Sequence, residues 1–342
     1  MAPWIPRLHL FEVNDQPWFP SFLRAYVQTG LTHAWTISIP VLQSCSAANL
    51  VAKTIRRVLG SAVSKYTYID FCAGAGGPTP FIEQALNRQL ESSTSASSSP
   101  PSSSNPSSNA GEVIENQPIK GVSYAAVASV EPTVNGESKE DGDGSSKAVK
   151  FILTDLHPHI SSWEVASSKS EHLSYVSEPV DATDAPVELI QRHPTRNGKV
   201  FRLFNLAFHH FDDNLARAIL KNTVETSDGF GIFELQSRNL SSIVSCFMFG
   251  FFIMAFAPLF YWNSPQTLFF VYVMPIVPFV LVFDGLISSL RTRTADEIEV
   301  LLRTCGASGF EDWEVRSGRE MFLWPTGQMN WVICTKLESR RG

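Results

Sequence analysis

Residues 68–80, YIDFCAGAGGPTP, place Gly74, Gly76 and Gly77 between an apolar run ending in Asp70 and the helix-like string FIEQALNRQL. Glycine opens backbone dihedrals that other residues avoid and allows close approach to a ligand, while a helix N-terminus offers N–H groups without intrahelical partners. A turn of this kind holds a nucleotide or a carboxylate, and dinucleotide-binding folds share its logic. Asp155 ends a second apolar run, VKFILTD. A nucleotide-binding α/β fold puts a carboxylate there, because its two oxygens accept from both ribose hydroxyls at once. Capping of the following turn or helix is the alternative. Asp181 follows a third short run and ranks above Asp184, which suits turn chemistry before Pro186. His209 and His210, in AFHHF, and Glu234 all come after strand-like runs on the same side. A neutral imidazole accepts a proton near neutral pH, so either histidine is a candidate general base, the alternative being a packed histidine. Asp284, at the edge of an apolar stretch, and Asp15 are further candidates for acid–base work.

The elements that must position these residues alternate strand, turn and helix, which implies an α/β fold with a parallel sheet. Residues 1–60 read as a capping segment. RLHLFEV begins as a short strand, the chain breaks at Pro17 and Pro20, and two helices follow. Glu12, Asp15, Trp18 and Phe19 either line an acceptor pocket or form a hydrophobic clasp at the domain edge, the clasp being favoured. Residues 61–90 carry the glycine turn. Residues 91–148 are rich in Ser, Pro and acids and cannot bury enough apolar surface to offset ordering entropy, so a disordered insertion is expected. That insertion has eight acidic residues against three lysines and so holds five of the six net negative charges. The remainder is nearly neutral and shows no basic stripe, which argues against a nucleic-acid partner.

The α/β pattern resumes over residues 149–241 and again over 291–342, where a helix opened by Thr294 and two strands end the chain. Between them, residues 242–290 hold two nearly uncharged stretches, 243–262 and 267–283, joined by NSPQ. Each is close to the roughly 17–25 residues that cross a bilayer. The expectation is a helical membrane hairpin with both ends on the cytoplasmic side, because strands of one fold lie before and after it. Arg238, Arg291 and Arg293 flank it, whereas NSPQ is uncharged, as the positive-inside tendency requires. Pro258, Pro275 and Pro278 leave a re-entrant dip open, and a buried core hairpin is the alternative. Asp284 lies seven residues before Arg291, near the same helical face, and is expected either to anchor the hairpin or to face a pocket. Five scattered cysteines without C-x-x-C spacing suggest neither zinc nor disulfides and a reduced setting. The first residues lack the uninterrupted apolar core of a signal peptide, so an intracellular membrane is the expected location.

The spacing D-x-C-x-G-x-G resembles the first motif of class I S-adenosylmethionine-dependent methyltransferases, with Cys72 where the commonest form has glycine. Asp155, the D-A-T string at Asp181 and the AFHHF segment stand in the matching order, so the resemblance covers residues 68–337 apart from the two insertions. The string DQPWFP, the apolar pair and DGLISSLRTRT also resemble a poorly characterised methyltransferase-like family found in bacteria and fungi. The resemblance implies a Rossmann-like sheet of seven strands whose last two pair antiparallel, and S-adenosylmethionine as cofactor. Asp70, Cys72, Ala73, Gly74, Gly76 and Gly77 would hold its methionine part, Asp155 the ribose, and Asp181 with Ala182 the adenine. The expected acceptor is a small lipophilic molecule at a membrane, with membrane lipid as a further partner. A membrane-anchored scaffold with a decayed methyltransferase fold is one alternative. An RNA methyltransferase is another, weakened by the lack of a lysine-containing catalytic tetrad.

Overall fold

The computed structural model describes residues 5–97, 148–186, 189 and 198–337. Seven strands form one sheet: β1 Tyr66–Asp70, β2 Phe151–Leu153, β3 Leu173–Tyr175, β4 Lys199–Asn205, β5 Gly229–Glu234, β6 Trp313–Leu323 and β7 Gly327–Lys336. Their order is β3-β2-β1-β4-β5-β7-β6. The first five are mutually parallel, and β7 runs antiparallel to both β5 and β6. This is the Rossmann-like arrangement expected from the resemblance. The strand order reverses between β1 and β4, and in open α/β sheets ligands bind outside the carboxyl ends of the strands at such a point.

The central strands β1, β4 and β5 are almost entirely buried along their length, as parallel strands covered on both faces must be. One face packs against helices α2 (Ala47–Leu59), α3 (Thr79–Ser97) and α4 (Ile160–Ser167). The other packs against α5 (Asp213–Thr226) and, after the hairpin, the helix Ala295–Arg303. Thr294 caps that last helix through a reciprocal capping box with Glu297. Helix α3 continues to Ser97, beyond the expected start of the insertion at residue 91; most of that insertion, residues 98–147, lies outside the described residues.

The N-terminal segment differs from expectation, because RLHLFEV pairs with no strand. Leu8 N–H instead donates to the carbonyl of Leu290 at 3.1 Å, and Arg7 Nε to that of Arg291 at 2.9 Å. These two donors are thus taken by a helix end rather than by a sheet edge.

The apolar pair is a hairpin of α6 (Leu240–Tyr261), α7 (Pro265–Val273) and α8 (Ile276–Arg291), with α7 and α8 bent by 64°. Helix α7 ends in a π turn, Phe269–Val273, just before Pro275, whose ring and missing N–H stop a straight continuation. Helix α6 is long and apolar enough to cross a membrane, and only 22% of its most apolar 18-residue window is buried. The hairpin does not stand alone. Helix α1 (Ser21–Thr36) lies along it, and Leu23 and Val27 share a core with Ala257, Val271, Val277 and Leu281. Tyr26 Oη donates to Gln266 Oε1 at 3.3 Å, so the NSPQ turn sits beside α1.

Helices α6 and α8 approach through small residues. Ser242 and Ser289 hydroxyls are 3.0 Å apart, and a Cβ at Gly250 would lie 2.4 Å from Val282 Cγ2. Val282 is β-branched on a helix and has little rotamer freedom with which to yield. Gly250→Ala is therefore expected to lower stability by about 1–3 kcal/mol through overpacking. Thermal melts followed by circular dichroism check this, with an unchanged midpoint as the contrary result.

Candidate active site

The glycine turn starts from a buried carboxylate. Asp70, only 1% exposed, accepts hydrogen bonds from Thr79 Oγ1 at the start of α3, from Cys72 N–H at 3.3 Å and from Asn205 Nδ2 at 3.5 Å. Burial pushes its pKa up to about 6 against the opposing effect of those three donors. Gly74, Gly76 and Gly77 follow with φ of +51°, +105° and +48°, where only glycine is unstrained. A Cβ at Gly74 would meet no heavy atom within 4 Å. The turn is a cradle that opens at Gly74, whereas a Cβ at Gly76 or Gly77 would touch Pro80 and Trp163 or the Ala73 carbonyl. Gly74 N–H donates to Asp155 Oδ2 at 2.8 Å, and its carbonyl accepts from Trp163 Nε1 at 2.8 Å. Asp155 Oδ1 accepts from His157 N–H at 2.8 Å, while its own carbonyl accepts from Val180 N–H at 2.9 Å. The end of β2 thereby ties the glycine turn to the segment carrying Asp181.

The nine residues expected to hold a cofactor divide by burial. Asp70 and Ala73 are interior and shape the turn. Burial, with the charges of Asp70 and Asp155, raises the Cys72 thiol pKa well above its ordinary value, so it stays protonated. Asp181 is exposed and accepts from Thr183 N–H and Oγ1 at 2.8 Å each, and the carbonyl of buried Ala182 accepts from Arg202 at 3.4 Å. The open glycine cradle beside an acid with further lone pairs on both oxygens fits an adenosyl donor.

A cavity of about 170 Å³ lies beyond the carboxyl ends of β4 and β5, lined by α1, α6 and α8. Val27, Leu31, Phe249 and Leu281 give it apolar walls. Glu12, Asp15, His209, His210 and Asp284 form its polar end. One short stretch joins cavity and cradle. Asn205 Nδ2 donates to Thr79 Oγ1 at 3.0 Å on the cradle side, and Leu206, the next residue, lines the cavity with φ of +50°. A left-handed leucine costs about 1–3 kcal/mol and persists only where surrounding structure holds it.

At the polar end His209, 3% exposed, has Nδ1 at 2.8 Å from Glu234 Oε2 and its backbone N–H at 3.2 Å from Glu234 Oε1. A carboxylate oxygen beside Nδ1 favours the tautomer that donates from Nδ1. His209 Nε2 is 3.7 Å from Glu12 Oε1. His210 Nδ1 is 3.1 Å from Asp15 Oδ2, and the two imidazole rings lie 4.2 Å apart. Burial disfavours charge on His210, but the bond to Asp15 and the charges of Glu12 and Asp15 outweigh it and raise the pKa. Burial opposes ionisation of Asp15 too, yet its bond to His210 and the neighbouring cations lower its pKa. Arg291 Nη1 donates to Glu12 Oε1 at 3.0 Å and lies 3.8 Å from Asp15.

All five residues proposed for acid–base work, Asp15 among them, thus meet here, Glu234 through His209. Asp284 has a different partner from the one its spacing suggested. It accepts from the backbone N–H groups of Val13 at 2.7 Å and Asn14 at 2.9 Å, while Arg291 takes Glu12. Glu12 and Asp15 line the cavity, whereas Trp18 is 66% exposed and Phe19 packs into the hairpin core. No local pattern marks Thr79, Asn205 or the pairing of Arg291 with Glu12, because a lone polar residue at an element end carries no distinguishing spacing.

A raised carboxylate pKa has a definite sign in stability. Between the unfolded value of 3.8 and about 6 the native Asp70 binds the proton that the unfolded chain has lost, so its contribution falls as pH rises through that window. The full loss is about 3 kcal/mol. Asp70→Asn is expected to remove this component, which urea melts at pH 4 and pH 7 would measure; parallel pH dependence in both proteins is the contrary result.

No protein-family model matches the sequence, and no curated protein does. Several solved structures are similar. The pyocyanin biosynthetic protein PhzM matches at TM-score 0.40 and 13% identity, over 85% of this chain and 55% of that one. A putative O-methyltransferase from Nostoc punctiforme PCC 73102 matches at 0.42 and 12%, over 97% and 64%. The DszA carbon methyltransferase matches at 0.39 and 12%, over 85% and 53%. This chain therefore spans between half and two thirds of the length of these proteins. The fold assignment rests on the strand order and register, not on these likenesses.

Proposed function

We propose that this protein is an S-adenosylmethionine-dependent methyltransferase acting on a small lipophilic acceptor. The carrying observation is the junction at Asn205 and Leu206, which puts the glycine cradle and a mostly apolar cavity with one polar end on two sides of the same strand terminus. The cradle and Asp155 would hold the donor, with Asp181 at the far end of the crevice. Bound there, the donor supplies an electrophilic methyl group on a sulfonium, so the protein's task is alignment and proton removal. The apolar walls orient the acceptor and exclude water. The imidazole and carboxylate groups at the polar end receive its nucleophilic atom and the proton that this atom loses.

Isothermal titration with the donor tests the reading. Asp155→Ala is expected to weaken binding tenfold or more, at least about 1.4 kcal/mol. His209→Ala should keep donor affinity while turnover, read by product mass spectrometry, falls about 10²–10⁴-fold. Absence of donor binding in the wild-type protein would favour the scaffold reading instead.

The outward face of the hairpin supports action at a membrane. Phe247, Phe251, Leu259, Trp262, Val273 and Phe279 are exposed along it, with no charged residue between Arg238 and Asp284. Helix α1 reaches the NSPQ turn and carries Arg24, whose guanidinium bonds the carbonyls of Asn14 and Gln16. A full crossing would take that guanidinium with it, so shallow insertion of the hairpin's exposed apolar face into one leaflet, with Arg24 kept on the protein side, is the better arrangement. The catalytic sheet then faces the cytoplasm. Carbonate-resistant membrane association is expected, together with cleavage of a protease site at Pro265 from neither side; release at high pH would oppose insertion.

A further inference from the structure

We propose that Glu12, His209 and His210 form a binding site for a divalent transition metal at the polar end of the cavity. One ligand atom from each lies within 4.8 Å of the others. The pattern around the two imidazoles is what separates this cluster from an ordinary ion-pair network. Each has Nδ1 against its own carboxylate, His209 with Glu234 at 2.8 Å and His210 with Asp15 at 3.1 Å. Neither Nε2 is hydrogen-bonded among the described residues, and that of the buried His209 lies 3.7 Å from Glu12 Oε1, itself a candidate ligand. Metal-binding histidines are held in this way, one ring nitrogen anchored by a carboxylate and the other presented to the ion. Two imidazoles and a carboxylate with open positions suit zinc, manganese or iron(II) rather than calcium or magnesium.

Charge points the same way. Four carboxylates, Glu12, Asp15, Glu234 and Asp284, surround the two histidines, and Arg291 is the cation that reaches Glu12 and Asp15. The acids outnumber the arginine at a largely buried site, an excess that a divalent cation would offset. Arg291 is the rival explanation, since its Nη1 already occupies Glu12 Oε1 at 3.0 Å. One arginine cannot pair with all four acids, however, and it contacts Glu12 and Asp15 without bonding either imidazole. The ligands come from the N-terminal segment and the turn after β4, so no cysteine spacing announces them. The site rests on this geometry alone; its use, polarising an acceptor hydroxyl for methylation, rests on the reading proposed above.

The test is titration of the chelator-stripped full chain with cobalt(II) and zinc(II), followed by elemental analysis after desalting and by the cobalt absorption bands. Stoichiometric uptake is expected, with affinity falling at least tenfold in Glu12→Gln and His210→Ala, and 10–100-fold in Glu234→Gln and Asp15→Asn. No stoichiometric uptake by the wild-type protein would overturn the proposal, as would unchanged affinity in a Glu12→Gln, His210→Ala double variant. Circular dichroism confirms that each variant is folded, and Glu12→Gln, which keeps the side-chain shape, stands in where an alanine variant does not fold. Donor titration on the same samples separates the two readings: metal uptake without donor binding supports the site and removes the methyltransferase reading.

Discussion

The buried carboxylate of Asp70 is the constraint on which the site depends. It ends β1 at the point where strand order reverses and binds the turn at Cys72, α3 at Thr79 and β4 at Asn205. Burying a carboxylate costs several kcal/mol unless its lone pairs are satisfied, so the three donors cannot drift apart without exposing that cost. The glycine turn can therefore be open on its ligand side and still hold one shape. The left-handed Leu206 follows directly from this, because Asn205 is fixed from the cradle side while the chain must turn at once into the cavity wall.

A second set of ties closes the cavity from outside the sheet. The N-terminal segment has no regular structure of its own, and its position is set by Asp284 accepting from Val13 and Asn14 and by Arg291 pairing with Glu12. Removing either partner of a buried pair leaves an uncompensated charge, which costs more than the pair itself contributes. The segment is consequently fixed in register against α8, and its acids are delivered to the histidines that follow β4.

The hairpin serves both regions. Its inner face uses Gly250, Ser242 and Ser289 to bring α6 and α8 close, while its outer face carries large apolar side chains. Alongside it, α1 contributes Val27 and Leu31 to the cavity and Leu23 to the hairpin core.

The sequence alone determined the sheet and the cradle. Apolar runs ending in acids, glycines at spacings that need positive φ, and a helix opened by Thr294 are local signals, because strand burial, turn geometry and capping depend on neighbours a few residues apart. The apolar pair announced a hairpin for the same reason, although its 64° bend depended on how Pro275 and the π turn settled against α1. Only the tertiary structure decided which acid meets which base. Glu12 and Arg291 are 279 residues apart, and Asp284 found backbone N–H groups 271 and 270 residues away rather than the arginine one helical face along. Such pairings follow from chain closure and from the cost of leaving buried charges unpaired, and no spacing along the chain encodes them.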